Sequence, residues 1–236
     1  MSTVATETAY DQLIKRTKEA NSLGATISLL HWDQEVMMPK KGIEFRAGQI
    51  SLTSRMHHEL STDDEIGDLL EACESDNELM SDATSAAAVN IREIRHRYDR
   101  ATKLPSSLVE EEAMLSSRGQ NVWAEARKNN DFKEFQPWLE KIVDLLQRKA
   151  ECYGWADGGE PWDALAEDYE PGCTAASVSE VFTPLRDRLQ TLLDEIMGSE
   201  TKPSNAFNEI VLPIHQQKEF VRAIATQIGF DFDSGR

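Results

Sequence analysis

The feature that most restricts the fold is an apolar spacing of three, four and seven residues. Leu13, Ala20, Leu23, Ile27 and Leu30 follow it, and only one face of a helix brings such positions together. The spacing returns in Ile43, Ala47, Ile50 and Ser54, and again in Ala83, Ala87, Ile91, Ile94 and Tyr98. It returns once more in Val181, Phe182, Leu185, Leu189, Leu192 and Ile196. With 12 Gly and 8 Pro in 236 residues, set against long runs rich in Ala, Leu, Glu, Lys and Arg, composition also favours helices over sheets. The expected fold class is all-α.

A first helix is predicted from about Ala9 to Glu35, stopped by Met37-Met38-Pro39 because a residue before proline is pushed out of the helical region. Others are expected over Ile43 to Leu60, Ile66 to Cys73, from Ser81 or Asp82 to Lys103, Leu108 to Arg127 and Trp138 to Tyr153. A short piece from Pro161 should close at Pro171-Gly172. A long helix opened by Ser177 should kink at Pro184, and a last one should run from Gln216 to Ile228. Thr62 with Glu65, Ser107 with Glu110 and Ser177 with Glu180 carry the spacing of capping boxes. Pro137 suits a first helical position. The polar stretch Glu200 to Asn208 is the best hinge candidate, and Glu209 to Pro213 reads as a short extended piece. No repeat and no Gly/Ser linker divides the chain, so residues 1–236 are expected to form one helical region.

The stretch Leu30-His31-Trp32-Asp33-Gln34-Glu35-Val36-Met37-Met38 places charged groups among large apolar ones. Trp32, Met37 and Met38 are expected to be buried. His31, Asp33 and Glu35 beside them then form either a satisfied buried network or the wall of a pocket. Trp162, Tyr169 and Phe182 are likewise expected in the core. Leu139, Ile142, Val143 and Leu146 are expected to face inward, as are Leu115, Val122 and Trp123.

A formal net charge of −17 repels phosphate backbones and anionic lipid, so no nucleic-acid or membrane partner is expected. Cys73, Cys152 and Cys173 are far apart, which supports neither a disulfide framework nor a cysteine-rich zinc site. The first ten residues lack a basic region followed by an apolar run, and no apolar stretch approaches the ~20 residues that span a bilayer. A cytoplasmic protein is expected.

The sequence contains no His-Glu-x-x-His, no Gly-x-Ser-x-Gly and no Gly-rich phosphate loop. His31 and Glu35, four residues apart, could touch one metal but find no further ligand by spacing. His57 and His58 point to different faces of one helix, and His96 and His215 read as surface residues. Asp163 and Glu167 have the spacing of an acid/base pair, though a solvated helix face is the simpler reading. No catalytic residue and no metal ligand is assigned within the chain.

Four blocks carry a resemblance. The first is Leu30-His31-Trp32-Asp33 with Met38-Pro39, Gly42, Arg46, Gln49 and Leu52. The second is Trp123-Ala124-Glu125-Ala126-Arg127 with Asp131-Phe132 and Phe135. The third is Trp162-Asp163-Ala164-Leu165 with Asp168-Tyr169-Glu170-Pro171-Gly172, and the last is Ile228-Gly229-Phe230-Asp231-Phe232 with Gly235-Arg236. In this order they resemble the N-terminal half of the carboxypeptidase Taq family.

The resemblance implies a helical, zincin-like metallocarboxypeptidase. It implies Zn²⁺ as cofactor, peptide C-termini as substrate, broad specificity, a deep groove between two helical halves, and a homodimer. The family's His-Pro-Phe, Asp-x-Arg-x-Thr and His-Glu-x-x-His segments have no matching position here. This chain is therefore expected to supply scaffold and one groove wall, and to be inactive alone. Phe230 and Phe232, so close to Arg236, are not the ending expected of a finished chain. His31, Trp32, Asp33, Trp162 and Tyr169 are the groove-lining candidates. The competing expectation is a non-enzymatic helical interaction module with a finished polar surface.

Overall fold

The computed structural model describes residues 8–201 and 203–234. The segment read as lacking a secretory signal (residues 1–7), Lys202 of the hinge stretch, and Gly235 and Arg236 of the last matching block lie outside the described residues. The described residues form helices and no strand, as the apolar spacing requires. By packing the chain divides into two compact units, Met1–Glu180 and Val181–Arg236. No composition change marks that boundary, which falls inside a helix.

In the first unit α1 (Ala9–Val36) is followed by a 3₁₀ turn and α2 (Ile43–Ser61). Then come α3 (Asp64–Glu74), α4 (Ala86–Ala101), α5 (Ser106–Asn129), α6 (Phe132–Tyr153) and the short α7 (Pro161–Ala166). The helix α8 (Ala175–Gly198) crosses into the second unit, which also holds α9 (Ile214–Gln227). Side-chain pairings show that neighbours run in opposite directions. On α1 and α2, Asp33 meets Arg46 while Gly24 meets His57. On α5 and α6, Glu111 meets Arg148 while Gly119 faces Ile142. This sequence of antiparallel neighbours follows from short connections between long helices.

Two cores hold the first unit. Leu13, Ile66, Leu69, Leu70, Cys73 and Ile91 bury against one another where α1, α3 and α4 meet. Ala150, Tyr153 and Ala164 form a smaller cluster between α6 and α7. Gly67 lets α3 approach α4 closely, since a Cβ there would stand 2.7 Å from the Tyr98 hydroxyl. In the second unit, no residue of α8 or α9 is buried. Arg222 there lies 4.3 Å over the Phe232 ring, which meets Phe230 edge-on.

Helix ends depart from the expected caps. Asp63, not Thr62, caps α3 through the Glu65 amide, while the Thr62 hydroxyl donates back to the His58 carbonyl. Ser85 caps α4, and Asp82 instead closes a turn on Thr84. Pro105 starts α5 without any side-chain cap, so Ser107 and Glu110 make no box. Asp131 caps α6, which begins six residues before Trp138 and carries Pro137 inside it. Thr174 and Ser177 exchange reciprocal bonds at the head of α8, which makes Ser177 the third residue of the cap rather than its first. At α3, α4 and α8 a short polar side chain one to four residues away reached the free amides first. Ile210 to Pro213 follow a 3₁₀ turn and form no strand.

The expected burial also needs correction. Trp32, Met37, Trp162, Tyr169 and Phe182 are exposed, as are Trp123, Leu139 and Val143. On α6 the fully buried residues are Leu145, Ala150 and Tyr153, while Ile142 and Leu146 are half-buried. Periodicity shows which face is apolar; a neighbour has to be present to bury it.

Candidate functional site

The C-terminal end of α1 is held by one arginine. Arg46, projecting from α2 with its side chain only 14% exposed, donates to the Leu30 carbonyl at 2.7 Å and to Asp33 Oδ2 at 2.5 Å. Its Nε donates to Gln49 Oε1 at 3.1 Å, one helical turn further along. Leu30 lies six residues inside α1, so its carbonyl takes the guanidinium as a second donor beside its own helical bond. Gln34, on the next face, exchanges hydrogen bonds with the Ser117 hydroxyl and carbonyl of α5. For Asp33 the structure therefore gives a satisfied network. His31 is half-buried beside it, and Trp32 is 44% exposed.

Along the same two helices Leu29, Val36 and Met37 of α1 and Phe45, Leu52 and Met56 of α2 are exposed. Phe45, at 76%, leaves a phenyl ring in water. An apolar stripe of this extent on a helix pair marks a surface made to meet something else.

The segment 161–172 is organised by Arg100 of α4. Its guanidinium lies 3.9 Å over the Tyr153 ring, bonds Asp168 Oδ1 at 2.7 and 2.8 Å, and donates to the Ala164 carbonyl at 2.9 Å. Nearby, Lys149 pairs with Glu112; burial depresses the ammonium, but the hydrogen bond and charge of Glu112 prevail and hold its pKa above the ordinary value. Lys103 donates to the Tyr153 carbonyl at 3.0 Å. Asp163 accepts from the Glu160 and Ala175 amides, and Glu167 from the Gly172 amide. Both Asp163 oxygens and Glu167 Oε2 tie loops together, and Glu167 Oε1 faces His96 Nε2 at 3.9 Å. Trp162 is half-exposed, and Tyr169, at 89%, stands out from the surface.

The structure does not gather the sequence candidates into one cluster. His31, Trp32 and Asp33 belong to the α1–α2 pair, whereas Trp162 belongs to α7, which packs on α6, and Tyr169 to the turn that follows it. Arg46 and Arg100 are the organising residues, and sequence spacing alone did not single them out. The nearest signal was the block that places Arg46 beside Gln49.

Zinc, the metal that the sequence resemblance implies, does not fit the residues present. Among the described residues no group of three or more His, Cys, Asp or Glu could hold an ion. His58 is buried with Nε2 2.9 Å from the Leu104 carbonyl, and His57 lies on another face against Gly24. Among the described residues no helix is long and apolar enough to cross a membrane.

A helical scaffold braced by arginine clamps, with broad apolar faces in water and no metal-ligand cluster among its described residues, is the class that fold and site define. The sequence model of the carboxypeptidase Taq (M32) metallopeptidases matches residues 12–236, and the chain belongs to that family. Thermostable carboxypeptidase 1 of Thermus thermophilus is 36% identical over 237 residues, covering 98% of this chain and 46% of the relative. Carboxypeptidase 1 of Bacillus subtilis is 29% identical, over 98% of this chain and 44% of its own length. The crystal structure of BsuCP superposes with a TM-score of 0.85 at 26% identity, over 97% of this chain and 45% of its own. For Pyrococcus furiosus carboxypeptidase the values are 0.75, 28%, 97% and 45%. The chain thus spans about half the length of the curated relatives it matches.

Proposed function

We propose that residues 1–236 form the scaffold half of a zinc-dependent metallocarboxypeptidase that removes C-terminal residues from peptides with broad specificity. In this reading the α1–α2 face and the segment 161–172 wall the substrate groove. His31, Trp32, Asp33, Trp162 and Tyr169 line it and exclude water from the peptide. The zinc is held by residues outside 1–236, and this chain alone neither binds it nor cleaves. The homodimer rests on the family resemblance alone, and the cytoplasmic location on the sequence pattern of the first ten residues and the lack of a long apolar stretch.

The observation that carries the reading is the exposure of Trp32, Phe45, Leu52 and Met56 on one helix pair, which a finished interaction module with a polar surface would not show. The test is release of C-terminal residues from N-blocked peptides by purified 1–236, with and without a chelator. No release is expected; chelator-sensitive trimming would overturn the proposal.

A further inference from the structure

Between α1, α2, α3 and α4 lies a cavity of about 250 Å³, distinct from the faces described above. Ala20, Ile66, Ile94 and Ala101 make its apolar wall. Its polar wall is Thr17, Asn21, His57, Ser61, Tyr98 and Arg97, and no carboxylate lines it. Gly24 abuts the imidazole so closely that a Cβ there would stand 3.4 Å from His57 Nε2.

Arg97, at an exposed position at the cavity mouth, is the one fully charged side chain of its lining. Arg92, Arg95 and Arg100 on the same helix each have a carboxylate within 4.0 Å. Among the described residues Arg97 has none, although the chain carries a net charge of −17. Burial, with His58 beside it, keeps the His57 imidazole below its ordinary pKa, so it offers one neutral N–H. Burial, with Asp64 nearby, raises the Tyr98 hydroxyl, which remains a donor. Asp64 and Asp68, near Tyr98 though outside the lining, act against any negative charge there, so only a singly charged anion seated on the Arg97 side is compatible.

We propose that this cavity binds a small organic monocarboxylate. Its carboxylate pairs with the Arg97 guanidinium and takes further donors from Tyr98, Asn21 and Ser61, while its apolar body lies against Ile66 and Ile94. The inference is independent of the proposed function, because no part of the α1–α2 clamp or of segment 161–172 lines this cavity.

The experiment is a titration of the 236-residue chain with benzoate, followed by the ring resonances of His57 and Tyr98. Saturable shifts are expected, with binding about tenfold weaker for neutral benzamide and for benzoate with Arg97→Gln, as loss of one charge-assisted bond implies. Asn21→Leu, at an exposed position, should weaken binding as well. Arg188→Gln, a change on exposed α8, should leave it as in the wild type. Absence of saturation, equal binding by Arg97→Gln, or displacement of benzoate by inorganic phosphate would overturn the assignment.

Discussion

Replacing Arg100 by methionine should release the segment 161–172 while leaving the rest of the first unit folded. Methionine keeps an apolar stem over the Tyr153 ring, so the loss reports the guanidinium itself. Arg100 is only 14% exposed and makes contacts of 2.7 and 2.8 Å to Asp168 and of 2.9 Å to the Ala164 carbonyl. Charge-assisted bonds of this kind contribute about 1.5–3 kcal/mol, and a desolvated cation–π contact about 1–2 kcal/mol. Asp168 is more than a third exposed and regains water when its partner leaves, which removes part of that sum. A net cost of about 3 kcal/mol remains, or roughly a 150-fold rise in local opening. Native-state hydrogen exchange of the Glu167, Tyr169 and Glu170 amides, which bond back into α7, reads this directly. Arg100→Lys should show about half the effect, since it keeps the charge and loses the fork. Unchanged exchange at these amides in Arg100→Met would refute the reasoning.

Two further outcomes follow from the structure. Burial holds His57 below its ordinary value of 6.5, so on acidification the unfolded chain takes up a proton before the folded one does. The stability that depends on this is complete above about pH 6.5 and is lost as pH falls through the folded-state pKa. Urea midpoints should therefore fall between about pH 7 and 5, and the slope should flatten in His57→Asn; parallel slopes would contradict the assignment. The variant Phe45→Ser removes a ring that is 76% exposed, so its stability should stay within about 0.5 kcal/mol of wild type. Binding of a hydrophobic dye should drop, and a loss of several kcal/mol would show that this side chain is packed after all.

Which parts of this molecule were legible in its sequence follows from the range of the forces involved. Helices α1, α2 and α5 were readable because their apolar lines repeat over several turns, and no local competitor overrides so long a pattern. Cap identity was not, because Thr62, Asp63 and Asp64 stand together and differences of a few tenths of a kcal/mol choose among them. Burial of Trp32 and Tyr169 was misread for another reason. Their neighbours in sequence look like core, but whether a ring meets protein or water depends on what lies opposite. The Asp33–Arg46 and Arg100–Asp168 pairs, 13 and 68 residues apart, could be found only from the packing of helices.

Arg46 braces the end of α1 against α2, and Arg100 braces the segment 161–172 against α4. Nothing in the geometry of His31, Glu35, His57 or His58 supplies a hydrolytic metal.

Metal content tests that account most directly. The folded 236-residue chain, equilibrated with zinc and then dialysed, should retain none above a matched blank when assayed by elemental mass spectrometry. One tightly held zinc per chain would contradict it.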